Sequence, residues 1–293
     1  MRLLLTSDLH QRIEKWSHLV EVVRQERPRF VLIAGDLLPK AAASGRQERF
    51  FDDMRRFFGA IMQQPPVTIL TYFGNDDAHV LEPLLDALET DGLCINMNGR
   101  VHREEGLVFC GMNRVRDYPF GYKHWCARDG DDVASAVQFC GEGLTLNANG
   151  ALVPLENLIA YLSAKPSIGD ALNQLSAQLR PGEMERSVWM VHQPPAGLGM
   201  DICADGREVG SPTVSEFIRV HQPLLGCSGH IHESPYQKGG RWIARQGRTA
   251  WVQAGQMGSR LHYVRADVTE TCAVAHVRHS VFGPEEQDGH RPG

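Results

Sequence analysis

Short apolar runs alternate with amphipathic stretches along the first third of the chain. Apolar runs span 3–6, 30–34 and 67–73, and the run at 30–34 has no polar alternation, which is typical of a strand buried on both faces of a parallel sheet. Between the runs, apolar residues recur at helical spacing over 16–23 and again over about 47–62. The pattern predicts strand, helix, strand, helix, strand, which is the order of an α/β protein.

The rest of the chain is less regular. Residues 93–113 show shorter strands with a turn at Asn98-Gly99, and regularity fails over 114–150, which indicates an insertion or lid. We expect a single domain over 1–293 with a frayed tail after Gly283. The remaining predicted elements are helices over 152–164, 168–179 and 213–221 and strands over 188–191, 224–227, 242–244, 250–253 and 273–277.

Composition narrows the class of protein. The 293 residues are 42% hydrophobic, enough for an ordinary globular core and too many for a disordered chain. The net charge of −5 argues against broad attraction to nucleic acids or membranes, and no apolar run reaches the length of a membrane span or signal sequence. The seven cysteines include no CxxC pair, so we expect no disulfides and a cytoplasmic location.

Five predicted strand ends carry side chains that bind metal ions. Each is ambiguous alone, because a polar residue at a strand end is commonly a satisfied structural one. Together they offer carboxylate, amide and imidazole donors at one edge of a sheet, as two neighbouring divalent cations would require. The five segments are Asp8-Leu9-His10, Gly35-Asp36, Gly74-Asn75-Asp76-Asp77, His192-Gln193 and Gly229-His230-Ile231-His232.

The donor types indicate which ions and which geometry to expect. Residues two apart in a strand share a side, so Asp8 with His10, and His230 with His232, can each face one pocket. A shared carboxylate is needed to hold two cations about 3.5–4 Å apart, and Asp36 is placed to be that bridge. Imidazole donors favour zinc, manganese or iron over calcium or magnesium.

This ordered set resembles the calcineurin-like metallophosphoesterase family from residue 3 to about 235, and within it the small phosphodiesterase-like branch that includes the metallophosphoesterase-domain-containing proteins. The resemblance implies a four-layer α/β/β/α sandwich of two mixed sheets with two divalent metal ions as cofactors. It also implies the ligands, which are Asp8, His10, Asp36 and His232 for one metal and Asp36, Asn75, His192 and His230 for the other.

One position departs from the family pattern. The family usually has histidine after the asparagine of its third block, and this chain has Asp76. In the family that histidine is thought to protonate the leaving group or stabilise the transition state, whereas a carboxylate would repel a phosphate unless it is protonated or metal-bound. His79 and His124 are candidate substitutes, although a surface or structural role is more common for a histidine.

Our leading hypothesis is a metal-dependent phosphoric ester hydrolase in which a metal-bridging hydroxide attacks phosphorus. Reduced proton assistance to the leaving group favours diesters or activated esters over alkyl monoesters. We expect a small phosphate ester as substrate. The residues assigned to catalysis are Asp36, Asn75, Asp76 and His192, and those assigned to substrate contacts are Asn113, Arg114, Arg116 and His124.

Two alternatives remain at this point. The first is a metal-binding scaffold with weak catalysis, which the complete set of seven ligand positions argues against. The second is a nuclease that acts on nucleic-acid ends, which the acidic composition argues against. The aromatic residues Tyr122 and Trp125 fit a lid core as well as they fit a substrate contact. The sequence leaves homo-oligomer formation open.

Overall fold

The computed structural model describes residues 1–40, 45–64, 66–130, 143–147 and 149–285. Its helices are α1 (Ile13–Glu26), α2 (Arg46–Met62), α3 (Glu82–Thr90), α4 (Leu158–Ser163), α5 (Ile168–Ser176) and α6 (Pro212–His221). Its strands are β1 (Arg2–Thr6), β2 (Phe30–Ile33), β3 (Thr68–Thr71), β4 (Ile95–Asn96), β5 (Val101–Glu104), β6 (Leu107–Met112), β7 (Leu144–Leu146), β8 (Leu152–Pro154), β9 (Ser187–Val191), β10 (Leu225–Ser228), β11 (Ile243–Gln246), β12 (Thr249–Gln253), β13 (Val264–Val268), β14 (Val274–His279) and β15 (Gly283–Pro284).

The strands form two large mixed sheets. The first has the order β15-β14-β13-β1-β2-β3-β4, in which β1 to β4 are parallel and β13 to β15 are antiparallel. The second has the order β11-β12-β10-β9-β6-β5, with a parallel centre and an antiparallel strand at each edge. Strands β7 and β8 form a separate pair.

Side-chain alternation along the strands creates the layers. In β1, Leu3 and Leu5 face a core shared with the second sheet, whereas Leu4 faces the core formed with α1 and α2. In β9, Met190 faces the shared core, whereas Trp189 packs on the side of α5 and α6. Helices therefore cover the outer face of each sheet, and the predicted four-layer α/β/β/α architecture is confirmed.

The carboxyl ends of the parallel strands from both sheets meet at one place. The Asp8 backbone N–H donates to the Gly35 carbonyl at 3.0 Å, which joins the ends of β1 and β2. The Gly229 N–H donates to the His192 carbonyl at 3.1 Å, which joins the ends of β10 and β9. A bond from the His230 N–H to Asp8 Oδ1 at 3.0 Å connects the two sheets. This edge is where α/β proteins build ligand sites.

Some predicted elements are confirmed and others are wrong. The turn at Asn98-Gly99 is present, because the Arg100 N–H donates to the Met97 carbonyl at 3.1 Å, and it leads from the first sheet to the second. The helix predicted over 152–164 is wrong in its first half. Strand β8 occupies that part, and α4 begins only after Asn157, whose side chain accepts the Ala160 N–H.

Helix α3 and strand β13 are among the elements that the sequence analysis did not predict. Helix α3 buries only Leu85 and Leu88, so its apolar stripe is too sparse to show a helical period. Strand β13 pairs antiparallel with β1 at the opposite end of the chain. The paired residues are more than 250 positions apart in the chain, so a local sequence pattern does not predict this pairing.

The predicted insertion packs against the strand ends where the structure describes it. The Trp125 indole N–H donates to the Asp77 carbonyl at 2.7 Å, and Val115 forms a bridge with Cys126. Residues 131–142 and 148 of this stretch, and 286–293 of the predicted frayed tail, lie outside the described residues. The single-domain organisation over 1–293 stays a prediction. Among the described helices, none is both long and apolar enough to cross a bilayer.

Gly226 in β10 offers a test of the packing between neighbouring strands. A Cβ atom there would lie 2.1 Å from a ring carbon of Trp251 in the paired strand β12. We expect Gly226→Ala to lower the free energy of unfolding by about 2 kcal/mol or more, because overpacking displaces a buried indole.

Urea denaturation measures this effect. The matched control is Gly59→Ala in α2, where a Cβ would meet no atom within 4 Å; it should stabilise the protein by about 0.5–1 kcal/mol. Equal effects of the two substitutions would contradict the packing described for Gly226.

Candidate metal centre

Backbone strain is concentrated where the strands end. Nine non-glycine residues among those described have positive φ, and four of them are the predicted ligands Asp8, His10, Asp36 and His230. A left-handed conformation costs an L-residue about 1–2 kcal/mol. The strain aims these side chains at a common point, a placement that is associated with functional sites.

Glycines allow the close approach of these segments. A Cβ at Gly74 would lie 2.2 Å from Asp36 Oδ1, and one at Gly229 would lie 2.8 Å from Asp8 Oδ2. Gly35 has φ +87°, and a Cβ there would lie 2.7 Å from His192 Nδ1. Each of these glycines therefore makes room for a predicted ligand on another segment.

Four of the predicted ligands form a first cluster. One donor atom each from Asp8, His10, Asp36 and His232 lies within 4.8 Å of the other three. His232 Nε2 is 3.4 Å from Asp8 Oδ1 and 3.4 Å from His10 Nε2. His10 Nε2 is 4.0 Å from Asp36 Oδ2. Mixed carboxylate and imidazole donors at this spacing can hold a transition-metal ion or zinc.

The other predicted ligands form a second cluster that shares Asp36. Asn75 Oδ1 lies 3.0 Å from His192 Nε2 and 2.6 Å from His230 Nδ1. His192 Nε2 is 3.6 Å from Asp36 Oδ2, the same oxygen that faces His10. The structure thus brings all seven predicted ligand positions together, with the Asp36 carboxylate between the two groups.

The surroundings orient these donors. His192 Nδ1 is 2.7 Å from the Ala34 carbonyl and His10 Nδ1 is 3.3 Å from the Leu38 carbonyl. If each Nδ1 carries the proton and donates it, Nε2 is left with a free lone pair facing the cluster. Asp36 Oδ1 accepts the backbone N–H of Asp76 at 2.9 Å. These bonds fix the ligand orientation.

The electrostatics of the buried cluster favour a bound cation. Burial acts to raise the pKa of Asp8 and Asp36, but neighbouring histidines outweigh it and hold both pKa values well below their usual range. Burial lowers the pKa of His10 to about 4 and that of His230 to about 3, so both rings are in the neutral form that binds metals.

The pKa of His192 is raised rather than lowered, and the cause is again the negative charge of the buried carboxylates. Burial opposes its charged form, yet the Asp36 and Asp8 carboxylates outweigh burial and raise the pKa of His192 to about 9. Two ionised carboxylates in a buried site require positive charge nearby, which divalent cations supply. The donor set therefore fits metal ions.

Asp76, the residue that departs from the family pattern, borders the second cluster. Its side chain accepts a hydrogen bond from Asn75 Nδ2 at 3.0 Å and lies 3.7 Å from the Lys40 ammonium. Burial and the nearby Asp36 carboxylate raise the pKa of Asp76 to about 6. Its backbone already holds Asp36, so this residue positions the shared carboxylate whatever its side chain does.

The residues assigned to substrate contacts differ in their surroundings. Asn113 follows β6 and is buried, and its Nδ2 has no hydrogen-bond partner within the described ranges. Arg116 Nη1 donates to the Gly210 carbonyl at 2.5 Å. The electrostatic neighbours of Arg114 are Tyr161 and Asp170. The role of each of these three residues stays a prediction.

His79 and His124 form an aromatic stack of their own. Their ring centroids are 3.4 Å apart, and His79 Nδ1 lies 2.7 Å from the Tyr122 hydroxyl. The Trp125 ring meets His124 edge-on at 4.7 Å. Burial and His79 lower the pKa of His124 to about 3, so neither packing nor charge marks it as a proton donor at neutral pH. The substrate role assigned to it stays a prediction.

Residues that sequence reasoning missed also support the site. The Tyr118 ring lies edge-on to His230 at 5.9 Å. Gln47 Nε2 donates to the Pro39 and Asp76 carbonyls, both at 2.7 Å, and its Oε1 accepts the Ala78 N–H at 2.8 Å. The only signal for Tyr118 was its place in an aromatic-rich irregular stretch, and nothing local distinguished Gln47 from other helical polar residues.

The fold and the donor set define a class of protein: a two-sheet α/β sandwich with an Asp and His cluster that can hold a metal ion. The family model for calcineurin-like phosphoesterases matches residues 1–234. The chain belongs to that family, whose members are typically dimetal hydrolases.

Two solved structures are similar to this chain over nearly its whole length. TT1561 of Thermus thermophilus superimposes with a TM-score of 0.54 and 16% identity, over 94% of this chain and 96% of that one, which agrees with the fold. A dimetal phosphatase from Danio rerio gives a TM-score of 0.47 and 13% identity over 97% and 96% of the two chains. No curated protein sequence matches the chain.

Substitution of Asp77 tests how the two loops of the candidate metal centre are held together. Its buried carboxylate accepts the backbone N–H groups of Leu37 at 3.0 Å, Leu38 at 2.8 Å and Gly74 at 2.8 Å, which ties the loop after β2 to the loop after β3. Asp77→Ala should lower the free energy of unfolding by at least about 3 kcal/mol, because three buried donors lose their acceptor.

Chemical denaturation of the chelator-treated protein measures this loss without a contribution from bound metal. The control is Asp91→Ala, which removes an exposed carboxylate paired with Arg55 and should change stability by less than about 1 kcal/mol. A similar small change for Asp77→Ala would mean that the carboxylate does not bind the two loops together.

Proposed function

We propose that this protein hydrolyses a phosphodiester or an activated phosphate ester with two divalent cations. The observation that carries the proposal is the position of Asp36 Oδ2, which lies 4.0 Å from His10 Nε2 in one cluster and 3.6 Å from His192 Nε2 in the other. One carboxylate between two donor groups is the arrangement that a pair of adjacent cations requires.

The two clusters would divide the cations between them. Manganese, iron and zinc are the ions that suit mixed oxygen and imidazole donors. When bound, the cations neutralise phosphate oxygens and activate water as a nucleophile. The first ion would be held by Asp8, His10, Asp36 and His232, and the second by Asp36, Asn75, His192 and His230.

The chain itself orients the donor side chains and buries Asp36 and His192. The Ala34 and Leu38 carbonyls, as acceptors for ring Nδ1, hold the His192 and His10 rings, and the Asp76 N–H donates to Asp36 and holds it. Fixed donors do not have to reorganise as charge develops on a phosphate, and this is a main source of catalytic power. Asn113, whose buried Nδ2 has no hydrogen-bond partner among the described residues, is a candidate to donate a hydrogen bond to the substrate.

The identity of residue 76 shapes the substrate preference. A carboxylate paired with Lys40 at 3.7 Å stands where the family usually has an imidazole, so the leaving group receives less proton assistance. Esters with good leaving groups are less sensitive to that loss. This supports diesters and activated esters over alkyl monoesters as substrates.

Removal of metal tests the proposed function directly. Chelation should abolish hydrolysis of bis(p-nitrophenyl) phosphate, and added manganese, iron or zinc should restore it. Asp36→Ala should lower the bound metal from two ions per chain to at most one and reduce kcat by at least about a thousandfold, because it removes the shared ligand.

Elemental analysis measures the metal and a chromogenic assay measures the rate. The Asp91→Ala variant serves as control, since that carboxylate is exposed and paired with Arg55. Two firmly bound ions with no hydrolysis of any phosphate ester would contradict the proposal and favour a metal-binding scaffold.

A substrate panel tests the role of residue 76. We expect kcat/KM to be at least about a hundredfold higher for a bis-aryl diester than for an alkyl monoester, and Asp76→His to narrow this ratio by supplying an imidazole donor. The rates are measured with manganese-loaded protein by release of phosphate and nitrophenol. Equal rates on the two substrates would show that residue 76 does not limit proton donation to the leaving group.

A further inference from the structure

A cleft of about 340 Å³ opens beside the first cluster of the candidate metal centre. Asp8, His10 and His232 contribute to its walls, so the cleft is continuous with the proposed site of hydrolysis. Its volume lies within the range of small-ligand pockets. Four cationic residues line it, and we therefore call it the basic cleft: Arg12, Lys15, Lys40 and Arg46.

Lys15 is the most unusual member of the basic cleft. Its side chain is buried, and its ammonium donates to Gln256 Oε1 at 2.8 Å and to the Gln256 carbonyl at 3.4 Å. An ammonium has three donors and Gln256 provides only these two acceptors. Burial and the neighbouring Arg12 lower the pKa of Lys15 to about 8 although the Asp8 carboxylate acts to raise it, so the nearby negative charge does not offset the cost of burying this ammonium.

The two arginines of the basic cleft also lack carboxylate partners. Both side chains are exposed, and in the part of the chain that the structure describes neither Arg12 nor Arg46 lies in a salt bridge. Arg12 makes a single long contact of 3.5 Å with the Gly258 carbonyl. With no salt bridge in the described ranges, these two guanidinium groups are available to bind an anion.

The local backbone adds to the positive potential. Helix α1 begins directly after Arg12 and α2 begins at Arg46, and neither N-terminus is capped by a side chain. An uncapped helix N-terminus carries partial positive charge. Lys40, whose ammonium is 3.7 Å from Asp76, links the basic cleft to the residue that departs from the family pattern.

We propose that the basic cleft binds a second phosphate group of the substrate, so that the protein acts on small phosphate esters that carry a further phosphate. This inference rests on the proposed function, because it places the reacting phosphate at the metal centre and the second phosphate on Arg12 and Arg46. An anion there adds negative charge to a cleft whose described lining holds four cations and the Asp8 carboxylate. Arginine guanidinium groups match phosphate oxygens in pairs.

Paired ligands separate the basic cleft from the metal centre. Thymidine 3′,5′-bisphosphate and thymidine 5′-monophosphate differ only in the second phosphate. Their affinities for the manganese-loaded protein are measured by isothermal titration calorimetry. We expect the bisphosphate to bind at least about tenfold more tightly, since charge-assisted contacts to one phosphate are worth that much.

The double variant Arg12→Gln with Arg46→Gln should reduce this affinity ratio to less than about threefold. The matched control is Arg24→Gln with Arg55→Gln, which removes two exposed guanidinium charges, one from α1 and one from α2. The control should keep the ratio of the unchanged protein. Because all four side chains are exposed, thermal unfolding should show the same Tm for both variants, and the ratio reports binding rather than folding.

The outcomes decide between distinct explanations. An equal affinity for the two ligands, or a ratio that survives the loss of Arg12 and Arg46, overturns the proposal. A ten-nucleotide thymidylate that binds far more tightly than the bisphosphate, with a steep salt dependence that the double variant removes, replaces the small ligand with nucleic acid. A ratio that behaves as expected in a protein without hydrolytic activity supports the basic cleft and rejects the proposed function.

Discussion

The rest of the candidate metal centre depends on the buried Asp36 carboxylate and the groups that contact it. One oxygen accepts the Asp76 N–H and the other faces His10 and His192 from opposite groups of donors. A buried carboxylate without positive charge nearby is costly, so its surroundings must supply imidazolium or metal ions. The raised pKa of His192 and the lowered pKa of Asp36 express the same requirement in the structure.

Backbone strain and hydrogen bonds around that carboxylate explain how the other donors are positioned at this edge of the sheets. Positive φ at Asp8 and Asp36 aims both carboxylates at the same point, and Gly74 leaves room for Asp36. The Asp77 carboxylate binds the two loops that carry Asp36 and Asn75. Two packed sheets of buried strands stabilise this strained arrangement, as is common at functional sites.

Charge is divided unevenly over the molecule, and the positive part lies beside the candidate metal centre. The chain as a whole is acidic, yet the basic cleft beside the metal centre gathers Arg12, Lys15 and Arg46 without carboxylate partners in the described ranges. Net charge limits only broad attraction to polyanions. Under the proposed function, a small anionic ester would meet a local field of the opposite sign, strengthened by any cations held at Asp8 and Asp36.

The sequence by itself determined the order of the first strands and helices and the candidate donor residues, because buried parallel strands leave apolar runs and their ends carry the donors, as at Asp8 and Asp36. Tertiary structure alone decided the pairing of β13 with β1, the stack of His79 on His124, and the convergence of Arg12 with Arg46 on one cleft. Those contacts join residues far apart in the chain, and their geometry follows from packing, which no local periodicity encodes.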